Sequence, residues 1–346
     1  MSDLMSKMMA SGAIKEVATL SESTLFNGKT MIPTNIPIIN TALSGSVTGG
    51  LTSGLTFLAG ASKNFKSLLG LLMVKAYQSK YPDGIILFYD SEFGITPEYA
   101  TSLKLDTDRI LHIPIPHVEA LKFDLSKRLE AIDRKDRVMI FIDSVGNLAS
   151  KKEVEDALNE KAVADMSRAK ALKSLWRIAT PYFTTRDIPC VVVNHTYKEI
   201  GLFPKDIMSG GTGGMYSANQ VFFISKAQEK DGNDLAGWNF TITIEKSRFV
   251  RDKSKFSFLV TWDKGIHKWS GLKDLAMEFG YVTKPKVGWY QVMDPLTGES
   301  FSDKLMREKD LMESNEIWEH LLEETDFPNQ IRARYLVGNV ALEGGE

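Results

Sequence analysis

The feature that most constrains this chain is a glycine followed, after five residues, by lysine and serine: Gly60, Lys66 and Ser67 in GLTFLAGASKNFKS (54–67). Apolar residues from Leu55 to Ala59 precede the loop, and Leu68, Leu69, Leu71, Leu72 and Val74 follow it. The expected local structure is a short buried strand, a loop, and a helix opening near Lys66. That order aims the backbone N–H groups of Gly60, Ala61, Ser62, Lys63, Asn64, Phe65, Lys66 and Ser67 at a triphosphate, and the positive end of the helix dipole adds to the attraction. Lys66 would reach the β- and γ-phosphates, and the Ser67 hydroxyl would hold Mg²⁺. The full pattern G-x-x-x-x-G-K-[ST] has a second glycine, and Phe65 occupies its place. A bulky residue there stiffens the loop or shifts its backbone. The bland alternative is a strand–helix turn with a lysine and no ligand; the flanking strand and helix weigh against it.

From this loop onward the apolar pattern alternates. GIILFYD (84–90), RILHIPI (109–115), RVMIFIDS (137–144) and IPCVVVNH (188–195) read as buried strands. Between them, 96–103 (Pro97 in its first turn), 118–134 and a long basic stretch, 162–185, read as helices. Such alternation implies an α/β fold with a mainly parallel sheet and helices on both faces. After Asn219, VFFISKA, NFTITIEKS and KFSFLVTW are separated by short polar turns, so antiparallel hairpins extend the sheet. Residues 271–346, helical and turn-rich with a KVGWYQV strand, read as a small separate subdomain. Before the loop, 3–19 forms an amphipathic helix with Leu4, Met8, Ile14 and Val17 on its apolar side, weakened by Gly12. TLFNGKT follows with Leu25 and Phe26, and 31–46 reads as a connector with a short helix. The first 30 residues are too few for a core of their own, so they are a frayed terminus or an arm for another subunit.

Composition removes several function classes. The chain carries 42 basic and 44 acidic residues among 346, so a nucleic-acid surface must be a local stripe rather than a global charge. Its single cysteine, Cys190, lies in an apolar run and reads as a small buried residue. No run of 18 apolar residues and no continuous secretory h-region occurs, which implies a soluble, reducing, cytoplasmic setting. Five scattered histidines do not make a metal cluster.

Several residues could carry chemistry around a bound triphosphate. Asp143 ends an apolar strand, where an acid holds Mg²⁺; the alternative is an Asp that caps the next turn. Glu92, just past GIILFYD, could orient or deprotonate the attacking water, or be a solvated strand-end acid. Tyr99, one turn into the next helix, could stack on a base or be a surface aromatic. His195 is either a satisfied strand-end histidine or a γ-phosphate sensor pulling on the segment after it. That segment, TYKEIGLFPKDIMSGGTGGM (196–215), reads as a long loop with Gly210, Gly211, Gly213 and Gly214, Lys198 and Lys205, and Tyr197 and Phe203. Such a mixture suits single-stranded DNA, and a disordered lid is the alternative. A second loop, SKKEVEDALNEKA, begins at Ser150 with Lys151 and Lys152, and the helix after it carries Arg168, Lys170, Lys173 and Arg177. Lys151, Lys152, Arg168, Lys170 and Arg177 are candidate DNA contacts, and a solvated charged face is the alternative. Lys246 and Arg248, at alternate positions near a strand end, lie on one side. They are a solvated edge or reach a nucleotide held by a neighbouring subunit.

Taken together, GASKNFKS, LFYDSEFGITPEYA, VMIFIDSVGNLASKKEVEDALNEK, IPCVVVNHTY, SGGTGGMYSA and EKSRFVRDKSKF resemble the RecA family of strand-exchange recombinases, most closely its T4-like phage branch. The similarity runs from about Ile36 to the C-terminal region. It implies a RecA-like phosphate-loop ATPase core at 31–270, an N-terminal oligomerisation arm at 1–30 and a small α+β subdomain at 271–346. It also implies that Glu92 is the catalytic glutamate, that Tyr99 stacks on adenine, and that His195 stands where bacterial members have a sensor glutamine. Thr96 stands where many of those have an acidic adenine contact, and Phe65 matches the phage branch. By the same resemblance, 150–161 and 196–217 are the DNA-binding loops, and Lys246 and Arg248 reach ATP across a subunit interface. The phage branch generally continues into a long acidic tail, whereas this chain stops at GNVALEGGE.

The expectation is therefore an ATP- and Mg²⁺-dependent recombinase. It would form helical filaments on single-stranded DNA and exchange strands with a homologous duplex, in repair and recombination-dependent replication. Its partners would include a single-strand binding protein and a recombination mediator, inside a bacterial host cell. The alternatives are a RecA-fold hexameric helicase motor and a mediator that binds ATP without turnover.

Overall fold

The computed structural model describes residues 3–14, 17–23, 30–159, 166–201, 204–232, 234–302 and 304–337. Two compact units result, 1–30 and 31–346. In the first, helix α1 (Asp3–Ser11) stops before Gly12, so Ile14 and Val17 lie outside it. Glycine forfeits too much backbone entropy to carry the helix through to residue 19. Leu4, Met5 and Met8 are exposed on α1, while Leu25 and Phe26 fall outside the described residues.

The second unit opens with α2 (Pro37–Ser44), started by a proline and stopped by Gly45 in the left-handed region. Strands and helices then alternate: β1 (Gly54–Gly60), α3 (Lys66–Lys80), β2 (Ile85–Asp90), α4 (Pro97–Ser102), β3 (Ile110–Pro114), α5 (Val118–Ala131) and β4 (Val138–Asp143). Next come α6 (Lys151–Leu158), α7 (Ser167–Thr185), β5 (Pro189–Lys198), β6 (Asp206–Met208) and α8 (Thr212–Ser217). Three longer strands, β7 (Gln220–Asp231), β8 (Asp234–Ser247) and β9 (Lys255–Thr261), lead to the short β10 (Gly265–Ile266). The chain continues through α9 (Leu272–Glu278), β11 (Val282–Lys286), β12 (Trp289–Val292), α10 (Glu308–Glu313), α11 (Asn315–Glu323) and α12 (Phe327–Tyr335).

The main sheet runs β10-β9-β8-β7-β1-β5-β4-β2-β3. All pairs from β7 to β3 are parallel, and β7 to β10 pair antiparallel, as the alternating and then hairpin-like sequence predicts. Successive residues of the inner strands enter opposite cores. Met139 and Phe141 of β4, with Val191 and Val193 of β5, pack with Leu69, Leu71, Met73 and Val74 of α3. Ile140, Ile142, Cys190 and Val192 point the other way, toward Leu121 and Leu125 of α5 and Leu175 and Trp176 of α7. Two-sided burial explains why these strands read as continuous apolar runs. The first of these cores also contains Trp269, Leu272, Tyr281, Trp318, Phe327 and Tyr335, so the elements after residue 270 share their apolar interior with the sheet.

The structure corrects four further local expectations. Residues 151–158 are helix rather than loop, because Ser150 and Glu153 form a reciprocal capping box. Residues 196–215 are not one long loop: β5 runs on to Lys198, β6 pairs back on it, and α8 follows. KVGWYQV is the turn and second strand of the β11–β12 hairpin, with Gly288 at positive φ. Helix α5 ends at Ala131, short of residue 134. No helix among the described residues is long and apolar enough to cross a membrane.

Candidate functional site

The phosphate loop leaves β1 at Gly60 and enters α3 at Lys66. A Cβ on Gly60 would stand 2.5 Å from the Ile224 carbonyl oxygen, so β7 lies too close for any side chain. Asn64 is buried and donates to that same carbonyl at 2.8 Å, and Lys226 Nζ donates to the Lys63 carbonyl at 3.0 Å. Phe65 precedes α3 in the left-handed conformation, with φ 65°. Glycine takes this conformation freely, whereas it costs an L-residue about 1–2 kcal/mol. Its ring sits 4.6 Å from that of Phe240 and 5.8 Å from that of Phe258, and this packing offsets the strain. The loop is thus braced by ring contacts with the neighbouring β8–β9 hairpin.

Three acids and one lysine meet at the carboxyl ends of β1, β4 and β2. Lys66 is buried and donates from Nζ to the Ala61 carbonyl at 2.6 Å. Burial pulls its pKa down, opposed by Asp143 and Glu92. Asp143 is pushed up to about 6, first by burial; the Glu92 and Asp90 charges add to this, and a hydrogen bond with Ser67 and the Lys66 charge oppose it. Asp143 Oδ1 is buried with no hydrogen-bond partner. An orphaned carboxylate oxygen beside a serine hydroxyl is a donor set that fits a hard divalent cation.

Glu92 lies in the turn after β2. Its Oε1 accepts from the Ser144 hydroxyl at 2.8 Å, and lies 3.4 Å from both Asn147 Nδ2 and His195 Nε2. Asp90, itself buried, holds that turn by accepting from the Glu92 and Phe93 N–H groups, while His112 Nε2 sits 3.1 Å from its other oxygen. Ser144, Asn147 and Asp90 bond Glu92 or its turn and Gly146 packs on His195, and pattern reasoning did not single these four out. For Ser144, Gly146 and Asn147 the available signal was IDSVGN itself, because residues just past β4 face the site; Asp90 is the last residue of GIILFYD. Gly146 is sterically required: a Cβ there would meet the His195 ring at 2.2 Å.

His195 connects the acids to the glycine-rich segment. The Ser209 N–H donates to the His195 carbonyl at 2.9 Å, and Asn194 Nδ2 donates to the Ser209 carbonyl at 2.9 Å. Gly210 and Gly211 have φ of 92° and 77°, which only glycine adopts without strain. Gly213 and Gly214 serve packing: Cβ atoms there would meet Lys173 at 2.7 Å and the Phe57 ring at 2.9 Å. They let α8 press onto α7 and β1.

The basic residues divide by orientation. Lys170, Lys173 and Arg177 are exposed at i, i+3 and i+7 on α7, one face of the helix. Lys152 and Lys205 are exposed, Lys151 Nζ lies 3.6 Å from Glu155, and Lys198 pairs with Asp206 at 2.9 Å across the β5–β6 hairpin. Tyr197 is exposed on that hairpin, and Phe203 lies outside the described residues. Arg168 points inward to the Leu148, Val145 and Gly146 carbonyls, each at 2.7 Å. Lys246 is level with Val221 and hence with Phe57, short of the phosphate loop on the sheet. Its Nζ donates to the Met215 and Tyr216 carbonyls at the end of α8, and burial followed by the Arg248 charge lowers its pKa. Tyr99 is partly exposed on α4, where Thr96 accepts its N–H as N-cap.

Comparisons with known proteins add to this geometry. Residues 5–267 match the model of the RecA N-terminal domain, and residues 269–331 match that of the C-terminal domain of the bacteriophage T4 recombination and repair protein. Over 343 residues, 98% of this chain and 88% of the relative, the chain is 50% identical to the recombination and repair protein of Enterobacteria phage T4. Protein RecA of Streptomyces ambofaciens is 27% identical over 266 residues, 75% of this chain and 68% of that one. Protein RecA of Mycobacteroides abscessus is 27% identical over 260 residues, with 73% and 72% covered.

Proposed function

The chain belongs to the RecA family, in the branch of the phage T4 recombination and repair protein, and from that premise we propose an ATP-dependent recombinase. It assembles into helical filaments on single-stranded DNA and pairs and exchanges strands with a homologous duplex. Family membership supports a DNA-dependent ATPase in general; coupling of hydrolysis to strand exchange is the finer reading. It is carried by one observation: Lys66, Asp143, Glu92 and His195 converge at the carboxyl edge of the sheet, and His195 is bonded through Ser209 to the glycine-rich segment.

In this reading the N–H groups of 60–67 cradle the phosphates, and Lys66 exchanges the Ala61 carbonyl for a phosphate oxygen. Ser67 and Asp143 would hold Mg²⁺, which when bound neutralises charge on the phosphates. Glu92 Oε1, kept in place by Ser144 and Asn147, orients the attacking water and takes its proton. Tyr99 stacks on the base. His195 turns from Glu92 toward the terminal phosphate and moves Ser209 with it. Lys170, Arg177, Lys151, Lys152, Lys198 and Lys205 supply charge for the DNA backbone. Lys246 and Arg248 complete the site of a neighbouring subunit, to which 1–30 docks as an arm. DNA affinity then differs between nucleotide states only by what the two states contact differently. The setting is the cytoplasm of a bacterial host, with a single-strand binding protein and a mediator as partners.

The test is ATP hydrolysis with and without single-stranded DNA, beside electron microscopy of the same mixtures. Stimulated hydrolysis with open helical filaments is expected. Stimulation with closed rings would replace the recombinase with a helicase motor, and nucleotide binding without turnover would leave a mediator.

A further inference from the structure

Arg168 was expected to contact DNA, yet its guanidinium is occupied on every side. Nε donates to the Leu148 carbonyl, Nη2 donates to the Val145 and Gly146 carbonyls, and Nη1 lies 3.3 Å from the Ser209 hydroxyl. The residues it grips belong to two different segments. Residues 145–148 follow directly on Ser144, which donates to Glu92. Ser209 opens the glycine-rich segment and is tied to the His195 backbone. His195 in turn approaches Glu92 at 3.4 Å. The contacts close a circuit: Glu92, Ser144, the 145–148 turn, Arg168, Ser209, His195, and Glu92 again. Only a planar fork with several fixed donors can span three carbonyls and a hydroxyl at once; a lysine ammonium cannot.

We propose that Arg168 is a positioning residue that couples the hydrolytic site to the DNA-binding segment by clamping the 145–148 turn to Ser209, and that it does not touch DNA phosphate. Movement of His195 displaces Ser209, and Arg168 transmits that displacement to the turn that holds Glu92. The same path runs backwards when DNA displaces the glycine-rich segment. Lys170 and Arg177, exposed on the outer face of α7, are the phosphate contacts of this helix.

The inference rests on the recombinase reading, and the experiment separates the two. Single-strand affinity is measured across a salt series, with ATP turnover at saturating DNA, for the wild type and for Arg168→Gln, Ser209→Ala and Arg177→Ala. Each phosphate contact on single-stranded DNA contributes about 0.7 to the slope of log affinity against log salt. Arg168→Gln should lose about tenfold in DNA-stimulated turnover while its salt slope stays that of the wild type; Arg177→Ala should flatten the slope by about 0.7. A flattened slope in Arg168→Gln would make it a phosphate contact and overturn the proposal. Full stimulation with an unchanged slope would overturn it as well. Should Arg168→Gln fail to fold, Ser209→Ala decides, since it removes the hydroxyl at the far end of the clamp, together with that hydroxyl's longer contact, 3.5 Å, to the Gly146 carbonyl. Reduced stimulation at an unchanged slope supports the proposal, and full stimulation removes it. A wild type that does not bind single-stranded DNA would sink the recombinase reading instead.

Discussion

Glu92 and Phe65 show how single side chains are fitted to this site. Glu92 is oriented by the hydroxyl of Ser144, which can donate equally to a glutamine oxygen. Glu92→Gln should therefore keep nucleotide and DNA binding and lose about 10²–10⁴-fold in turnover, the usual weight of a positioned base. Phosphate release against filter binding measures both, and retained turnover would remove Glu92 from that role. Phe65 combines a strained backbone with a packed ring. Phe65→Ala keeps the strain and deletes the ring contacts with Phe240 and Phe258, a loss of about 2 kcal/mol. Phe65→Gly also loses the ring but relieves the positive φ, so urea unfolding should place it about 0.5–1 kcal/mol above the alanine variant. An alanine variant as stable as the glycine variant would show that the loop is relaxed. The replaced glycine was legible in the sequence; its compensation was not, because Phe240 and Phe258 lie far away in the chain on strands β8 and β9.

At the scale of elements, α3 is the lever that sets the phosphate site, since its first residues are Lys66 and Ser67. Gly70 brings it against β4: a Cβ there would stand 2.3 Å from the Phe141 ring, whose side chain is buried. Gly70→Ala should cost about 1–3 kcal/mol by overpacking and weaken ATP binding as α3 lifts. Gly94, with nothing within 4 Å of its added Cβ, is the control, and Gly94→Ala should stay within about 0.5 kcal/mol of the parent. Equal effects of the two substitutions would refute close packing at α3. Element existence followed well from apolar periodicity, and the misreadings were of segments whose structure is set by polar and glycine residues. The 151–158 helix is held by a capping box, and the β5–β6 hairpin lies in a glycine- and lysine-rich stretch that carries little apolar signal.

For the whole molecule the telling residue is Lys246. It lies away from its own phosphate loop and is bonded to carbonyls of α8. A role at a neighbour's nucleotide then requires assembly. Lys246→Ala should lose DNA-stimulated hydrolysis yet retain ATP binding in dilute, unassembled protein. Mixing it with a Lys66→Ala chain should restore part of the turnover, because some interfaces then pair an intact loop with an intact lysine. No recovery on mixing, together with lost binding in the dilute protein, would place Lys246 in its own site.

The sequence by itself determined the local structures that depend on neighbours along the chain. These are the strand–loop–helix around Gly60, Lys66 and Ser67, the alternation of buried strands with helices, and the positions of Asp143 at the end of a strand and Glu92 just past one; His195, read as a strand end, lies inside β5, which continues to Lys198. Only the tertiary structure decided that these residues meet at one edge of the sheet. The order β1-β5-β4-β2 sets His195, Asp143 and Glu92 side by side, and pairing between strands distant in sequence leaves no periodic trace in either one. It likewise turned Arg168 inward while Lys170 and Arg177 face outward. A charged residue on a helix reads alike from either side until the carbonyls it can satisfy are known.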